Sequence, residues 1–289
     1  MSVAASPTVH RPRNTLTRSI SISGKGVHSG KVCNLALQPA AAGTGMVFRR
    51  VDLPGIPEIR ASYDHVLTQE LSRRTTLQSG SAKVFTVEHI LSAAVGLGLD
   101  DFFCDMDTEE PPFLDGSSAE FVRMIHEAGL TAEPNSIVQP FAITQPLAFA
   151  DGDAEFAAIP SDDLRVTYFL TSEHPLLRAQ SVSAVINPDS YVSQIAPART
   201  FCFFEEIEAL RAAGLIQGAS LSSAVVIGRK AIINESLRFP DEPARHKILD
   251  FIGDLALLGK PLKGHFMAWR SGHRSNAAFG LFLRKEFGL

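Results

Sequence analysis

The 289-residue chain has little cysteine, and what it has lacks pattern: Cys33, Cys104 and Cys202 are odd in number and widely spaced. With no C-x-x-C pair and no even set at short spacing, neither a disulfide framework nor a cysteine-rich structural zinc site is indicated. A reducing compartment is the simpler reading. Excess positive charge is missing too. The formal net charge is -4, which gives no overall basic footprint, so nucleic-acid partners are not expected. No apolar run approaches the ~20 residues that span a bilayer, so stable membrane insertion is not expected. No signal-like apolar stretch follows the first residues, and a cytoplasmic location is expected. Acidic residues are absent before Asp52, whereas Arg11, Arg13, Arg18, Lys25, Lys31, Arg49 and Arg50 precede it. Such an Arg- and Ser-rich opening has the composition of a transit peptide. Strand-like alternation at Ser19-Ile20-Ser21-Ile22 leaves little room for one, so a disordered N-terminal tail over residues 1–15 of a bacterial protein is expected instead.

What is present suits an ordinary soluble protein, and 289 residues exceed one compact core, which predicts two domains. In the first half, short alternating segments at 19–23, 32–37 and 102–106 read as strands. Segments 87–95 and 119–128 read as helices. The stretch 131–136, Thr-Ala-Glu-Pro-Asn-Ser, has linker composition. Beyond it, strands are predicted at 141–143, 155–159, 165–170 and 266–269, with helices at 204–213 and 243–258. Mixed elements in both halves make the fold α+β, with domains at 16–132 and 137–289. No internal repeat is visible in the residues.

The segment Arg245-His246-Lys247-Ile248-Leu249-Asp250 opens an apolar-periodic helix that continues to Asp254. His246, Asp250 and Asp254 follow one another at i, i+4, a spacing that stacks side chains on one face. An imidazole and a carboxylate placed so can share a metal ion, although most such pairs are solvated helix contacts. Ile248, Leu249, Phe251, Ile252 and Leu255 would bury the opposite side. Lys247 points about 100° away from the polar row and is expected at the surface.

A further ligand is offered by Thr86-Val87-Glu88-His89. Thr86 is the expected N-cap and Gly96 and Gly98 the stop of a short buried helix, which puts Glu88 and His89 in its first turn. The bland alternative is an acidic residue favouring the positive helix end and a hydrogen-bonded core histidine. The sharper reading gives His89 to a metal and leaves Glu88 beside it as a base. Two histidines, one carboxylate and an open position form a catalytic zinc pattern.

Here the chain resembles the UDP-3-O-acyl-N-acetylglucosamine deacetylase family, zinc amidases of lipid A synthesis, from about Leu16 to Asn276. The landmarks run in family order: Ser23-Gly24-Lys25-Gly26-Val27-His28-Ser29-Gly30, Arg74-Thr75-Thr76-Leu77, Thr86-Val87-Glu88-His89 and Pro112-Phe113-Leu114-Asp115-Gly116-Ser117. Ala198-Arg199-Thr200-Phe201 follows, then Arg245 to Asp250 with Gly253-Asp254-Leu255, and finally Ser271-Gly272-His273. The resemblance implies two similar domains, each a sheet layered against helices, with the helical layers facing each other across the site. It implies Zn2+ held by His89, His246 and Asp250, with Glu88 as the base that activates water.

Other roles come by the same resemblance. His273, on its own a loop histidine, would stabilise the oxyanion, with Asp254 keeping it charged, and either it or Glu88 acting in return would protonate the leaving amine. Thr200 would polarise the substrate carbonyl or hold the oxyanion. Lys247, Phe201, Gly218 and Ser220 would bind substrate, a UDP-activated acylated amino sugar. A β-α-β insert at about 198–233 would line a passage for the acyl chain, using apolar residues such as Phe203, Phe204, Leu210, Ile216 and Leu221. A monomer is expected. Departures from the pattern are Cys202 where Gly is usual, Ala219 and Ser222 in the insert turn, and Asp101 where Asn is common. None falls on a proposed ligand, base or acid. Another zinc amidase acting on a different N-acetylated sugar nucleotide, or a non-catalytic binding protein of the same fold, are the rival readings.

Overall fold

A computed structural model describes residues 11–234 and 236–288. Strands β1 (Arg11–Leu16), β2 (Ile20–Lys25), β3 (Val32–Pro39), β4 (Met46–Arg50) and β5 (Glu58–Arg60) open the chain. The ribbon β6 (Thr76–Ser79) and β7 (Ala82–Phe85), helix α1 (Glu88–Leu97), strand β8 (Phe102–Met106) and helix α2 (Ala119–Ala128) complete the first half. After β9 (Leu130–Val138) and β10 (Phe141–Ala142) come β11 (Leu147–Asp151), β12 (Ala154–Ile159), β13 (Leu164–Thr171) and β14 (Ala179–Val185). The single turn α3 (Pro188–Ser190), then β15 (Phe201–Phe203), α4 (Ile207–Ala212), β16 (Val225–Ile227), α5 (Glu242–Leu255), β17 (Leu262–Trp269) and α6 (His273–Phe287) finish it.

Period-two alternation produces these strands. In β3, Cys33, Leu35 and Leu37 are buried while Val32 and Asn34 face solvent, as a sheet with one covered face requires. The two main sheets run β2-β3-β8-β4-β5 and β11-β12-β17-β13-β14. Their layouts match. In each, the strand that comes last in the chain lies at the centre, antiparallel to one neighbour and parallel to the other. Each half also follows one order: two hairpins, an interposed ribbon or insert, a helix, the central strand and a second helix. The fold is therefore α+β with two similar layered domains, although the residues carry no visible repeat.

Helices α1 and α5 pack against each other between the sheets. Ile248, Leu249, Phe251, Ile252 and Leu255 are almost fully buried, each side chain contributing about 1.5–3 kcal/mol. Phe251 stacks with Phe156 and Phe279 in an aromatic core beneath the second sheet. Close approach of the two helices depends on Gly253. A methyl group on it would lie 2.2 Å from the Glu88 carbonyl oxygen.

Several expectations are corrected here. The stretch 131–136 is not a linker, because it lies inside β9, which pairs antiparallel with β1. Residues 11–15 of the expected tail form most of β1 for the same reason, and residues 1–10 lie outside the described residues. Thr86 does not cap α1. It sits one residue too early, at φ 57°, and Val87 occupies the cap position with no side-chain cap bond. His273 is not in a loop but begins α6, a 15-residue helix.

Candidate active site

The first turn of α1, the middle of α5 and the start of α6 meet at one cavity of about 600 Å3. His89, His246 and Asp250 are buried, and ligand atoms of all three lie within 4.8 Å of one another. Asp250 Oδ1 stands 3.3 Å from His246 Nε2 and 3.9 Å from His89 Nε2. His246 Nδ1 lies 3.0 Å from the Ala198 carbonyl oxygen. Since a carbonyl only accepts, Nδ1 carries the hydrogen, which frees the Nε2 lone pair to face Asp250 and His89. Burial pushes the His89 pKa down to about 3, with His246 adding to the effect, and burial lowers His246 too. Burial opposes ionisation of Asp250, but His246 and Lys247 outweigh it and hold the carboxyl below its usual range. Two neutral imidazoles and one carboxylate, their donor atoms converging, fit a divalent cation.

Glu88 lies beside this group and is buried. Its Oε2 accepts from the Thr75 backbone N–H at 3.1 Å, and its Oε1 is 3.8 Å from His273 Nε2. Burial raises its pKa to about 7, His273 working against that rise. On the far side of the imidazole, His273 Nδ1 donates to Asp254 Oδ2 at 3.0 Å. Asp254 also accepts from Asn276 Nδ2 at 2.8 Å and from the Thr75 hydroxyl. Burial pulls the His273 pKa down, yet Asp254 and Glu88 more than offset it and raise the value to about 9. Asp254 itself stands behind the cavity wall rather than on it.

Thr200, Phe201 and Lys247 line the same cavity. Thr200 is set in place by two bonds of its backbone, N–H to the Gly116 carbonyl and carbonyl to the Val225 N–H, each 2.8 Å. Beside it the buried Arg199 pairs with Glu242 at the start of α5, Nε to Oε1 at 2.8 Å. Lys247 is half-buried rather than at the surface. Its ammonium folds back to within 2.8 Å of Asp250 Oδ2, which raises its pKa in spite of burial.

Gly218 and Ser220 do not line this cavity; they border a smaller depression that shares only Phe113 with it. Gly218 packs against Gly26, whose carbonyl oxygen would stand 2.1 Å from an added methyl. Of the insert, Phe201, Cys202, Leu210 and Ile216 face the cavity, whereas Phe204 and Leu221 are exposed. Thr75 and Asn276 join the site without a role assigned from sequence. Thr75 lay inside the Arg74-Thr75-Thr76-Leu77 landmark, and Asn276 was only the end of the span that carries the resemblance.

The model of the UDP-3-O-acyl N-acetylglycosamine deacetylase family matches residues 13–284, a span that contains every residue lining the cavity. This chain belongs to that family. Among similar family proteins, the UDP-3-O-acyl-N-acetylglucosamine deacetylase of Leptospira biflexa serovar Patoc is 43% identical over 264 residues, 90% of this chain and 86% of its own length. The protein of the same name from Chlamydia pneumoniae is 43% identical over 275 residues, 94% of this chain and 96% of its own. That from Anaeromyxobacter sp. is 43% identical over 267 residues, covering 92% and 86%. Among the described residues, no helix is long and apolar enough to cross a membrane.

Proposed function

We propose that this protein hydrolyses the acetamide of UDP-3-O-acyl-N-acetylglucosamine, releasing acetate and UDP-3-O-acyl-glucosamine, the committed step toward lipid A. The observation that carries the reading is the meeting, in one cavity, of a cation-type donor set, a buried carboxylate near neutrality and a raised-pKa imidazole. His89, His246 and Asp250 would hold zinc. Such an ion, when bound, supplies Lewis acidity toward a carbonyl oxygen and makes a neighbouring water more acidic.

The remaining steps belong to the chain's own groups. Glu88, with its pKa near 7, takes a proton from the attacking water as general base. The water oxygen bonds to the acetamide carbon, and negative charge collects on the former carbonyl oxygen. Thr200 and protonated His273 donate hydrogen bonds to that oxygen. The C–N bond then breaks, and the amine nitrogen leaves with a proton passed from the Glu88–His273 pair. Asp254 holds the imidazole charged until that proton is passed. Lys247, with Arg73, Arg270 and Arg274 lining the same cavity, suits an anionic diphosphate, and the insert residues suit the acyl chain. One chain supplies every group named, which suits a monomer.

The test is acetate release by zinc-loaded protein, measured on acylated and non-acylated UDP-N-acetylglucosamine. Turnover of the acylated substrate, lost in a chelator and restored by zinc, is expected. Equal turnover of both substrates would overturn the acyl assignment, and full activity in a verified metal-free sample would overturn the zinc.

A further inference from the structure

Glu110 is fully buried, yet the proposed chemistry does not use it, and no lysine or arginine pairs with it among the described residues. Its carboxylate accepts instead from three donors on two segments. The backbone N–H groups of His28 and Ser29 reach it at 3.0 Å and 2.7 Å. The Thr86 hydroxyl reaches Oε1 at 3.0 Å. An ionised buried carboxylate is tolerated where donors surround it, and such bonds are the stronger kind.

What the two ends of this node do gives it meaning. Thr86 is β-branched and sits at φ 57°, a conformation that only its surroundings can hold. It stands two residues before Glu88. On the other side, the loop that carries His28 receives the insert: Gly218 N–H donates to the Val27 carbonyl at 3.0 Å and Gln217 N–H to the His28 carbonyl at 3.3 Å. Val27 and Ile216 both line the cavity.

We infer that Glu110 is a positioning residue that fixes the insert's docking loop and the turn carrying the base as one unit, so that acyl-chain recognition and placement of Glu88 depend on the same carboxylate. The inference rests on the proposed deacetylation for its kinetic test, and the amide exchange test below does not. Glu110→Gln keeps the shape but turns an NH2 group toward backbone donors, so at least one bond is lost and a donor faces a donor. Misplacement by up to ~1 Å costs as much as ~10²-fold in rate, and kcat/KM on the acylated substrate should fall ~10–10²-fold. On the non-acylated substrate the fall should be smaller, because only the Glu88 end is then felt. Thr86→Val removes one end alone and should lower kcat on both substrates by the same factor, while Thr86→Ser, which keeps the hydroxyl, should restore it. Hydrogen exchange should speed up in Glu110→Gln at both 26–30 and 216–218, with zinc content unchanged. Equal losses on both substrates, or faster exchange at only one of those segments, would overturn the inference. Should Glu110→Gln fail to fold, the Thr86 pair decides alone: Thr86→Val as active as wild type would overturn it.

Discussion

Replacing Gly253 by Ala sets helix propensity against the packing of α1 on α5. Inside an isolated helix, Ala is favoured over Gly by about 1 kcal/mol, so local preference predicts a more stable protein. Packing predicts the reverse. The added methyl would lie 2.2 Å from the Glu88 carbonyl oxygen and 2.8 Å from its carbon, backbone atoms that cannot rotate away. Restoring ordinary contact needs roughly 1 Å of separation between the helices, and overpacking of this kind costs about 1–3 kcal/mol. That movement takes His89 away from His246 and Asp250, whereas zinc–ligand distances tolerate only ~0.2 Å. Zinc affinity should fall by at least ~10–100-fold, the size of loss seen when a metal site's supports are disturbed, with turnover falling alongside. Chelator competition and thermal melting of the same sample measure both. A Gly253→Ala protein that melts higher than wild type and binds zinc as tightly would refute the reasoning.

Glu88→Gln keeps the side-chain shape while removing the base, so kcat should drop ~10²–10⁴-fold with zinc content near wild type; metal loss alongside the rate would assign Glu88 to the ligand set. Asp254→Asn removes the charge that most strongly raises the His273 pKa toward about 9. The alkaline limb of kcat/KM should therefore move to lower pH, and a stationary limb would show that this carboxylate does not keep the acid protonated. The same pairing stabilises the fold fully below the ordinary histidine value and is lost as pH rises through about 9. In Asp254→Asn the pH dependence of melting over that window should flatten. Glu242→Ala removes a buried carboxylate that pairs with the Arg199 guanidinium, a charge-assisted contact worth about 1.5–3 kcal/mol, which urea unfolding would measure.

The pairing of His246 with Asp250 was legible in the sequence because helical spacing fixes which side chains share a face, whereas the part given to Glu88 came with the family resemblance. The neighbour relation of His246 and Asp250 needs nothing beyond the helix itself. His89 needed the second helix, and its part was inferable only because two polar residues enter an apolar segment. Thr75 was not legible for a different reason: its hydroxyl meets Asp254 from 179 residues away, and no local pattern encodes such a contact. The β9 strand was hidden by its Pro and Asn, residues that usually mark turns but are tolerated on a two-stranded ribbon with open edges. Sequence hydropathy also failed for Lys247. Its charge is drawn inward by Asp250, so a residue expected to face solvent becomes part of the cavity wall.

The matched layouts of the two sheets have a consequence for durability. Helices α1 and α5 hold equivalent places in two copies of one plan, so the groups of the candidate site sit on a seam rather than inside either core. Glu88 and His89 come from one copy, and His246, Asp250, Asp254 and His273 from the other. Neither copy owns a working set. A fluctuation that parts the copies without melting either sheet is a sub-global opening, and it would dissolve the centre while most of the secondary structure survives. A cation shared between His89 and the α5 donors would act as a clasp across the seam, stabilising the closed arrangement in proportion to the logarithm of its concentration over its dissociation constant. The lifetime of activity on warming is then set by how often the seam opens and whether an ion is present to refasten it, and activity should vanish at temperatures where circular dichroism still reports a folded chain.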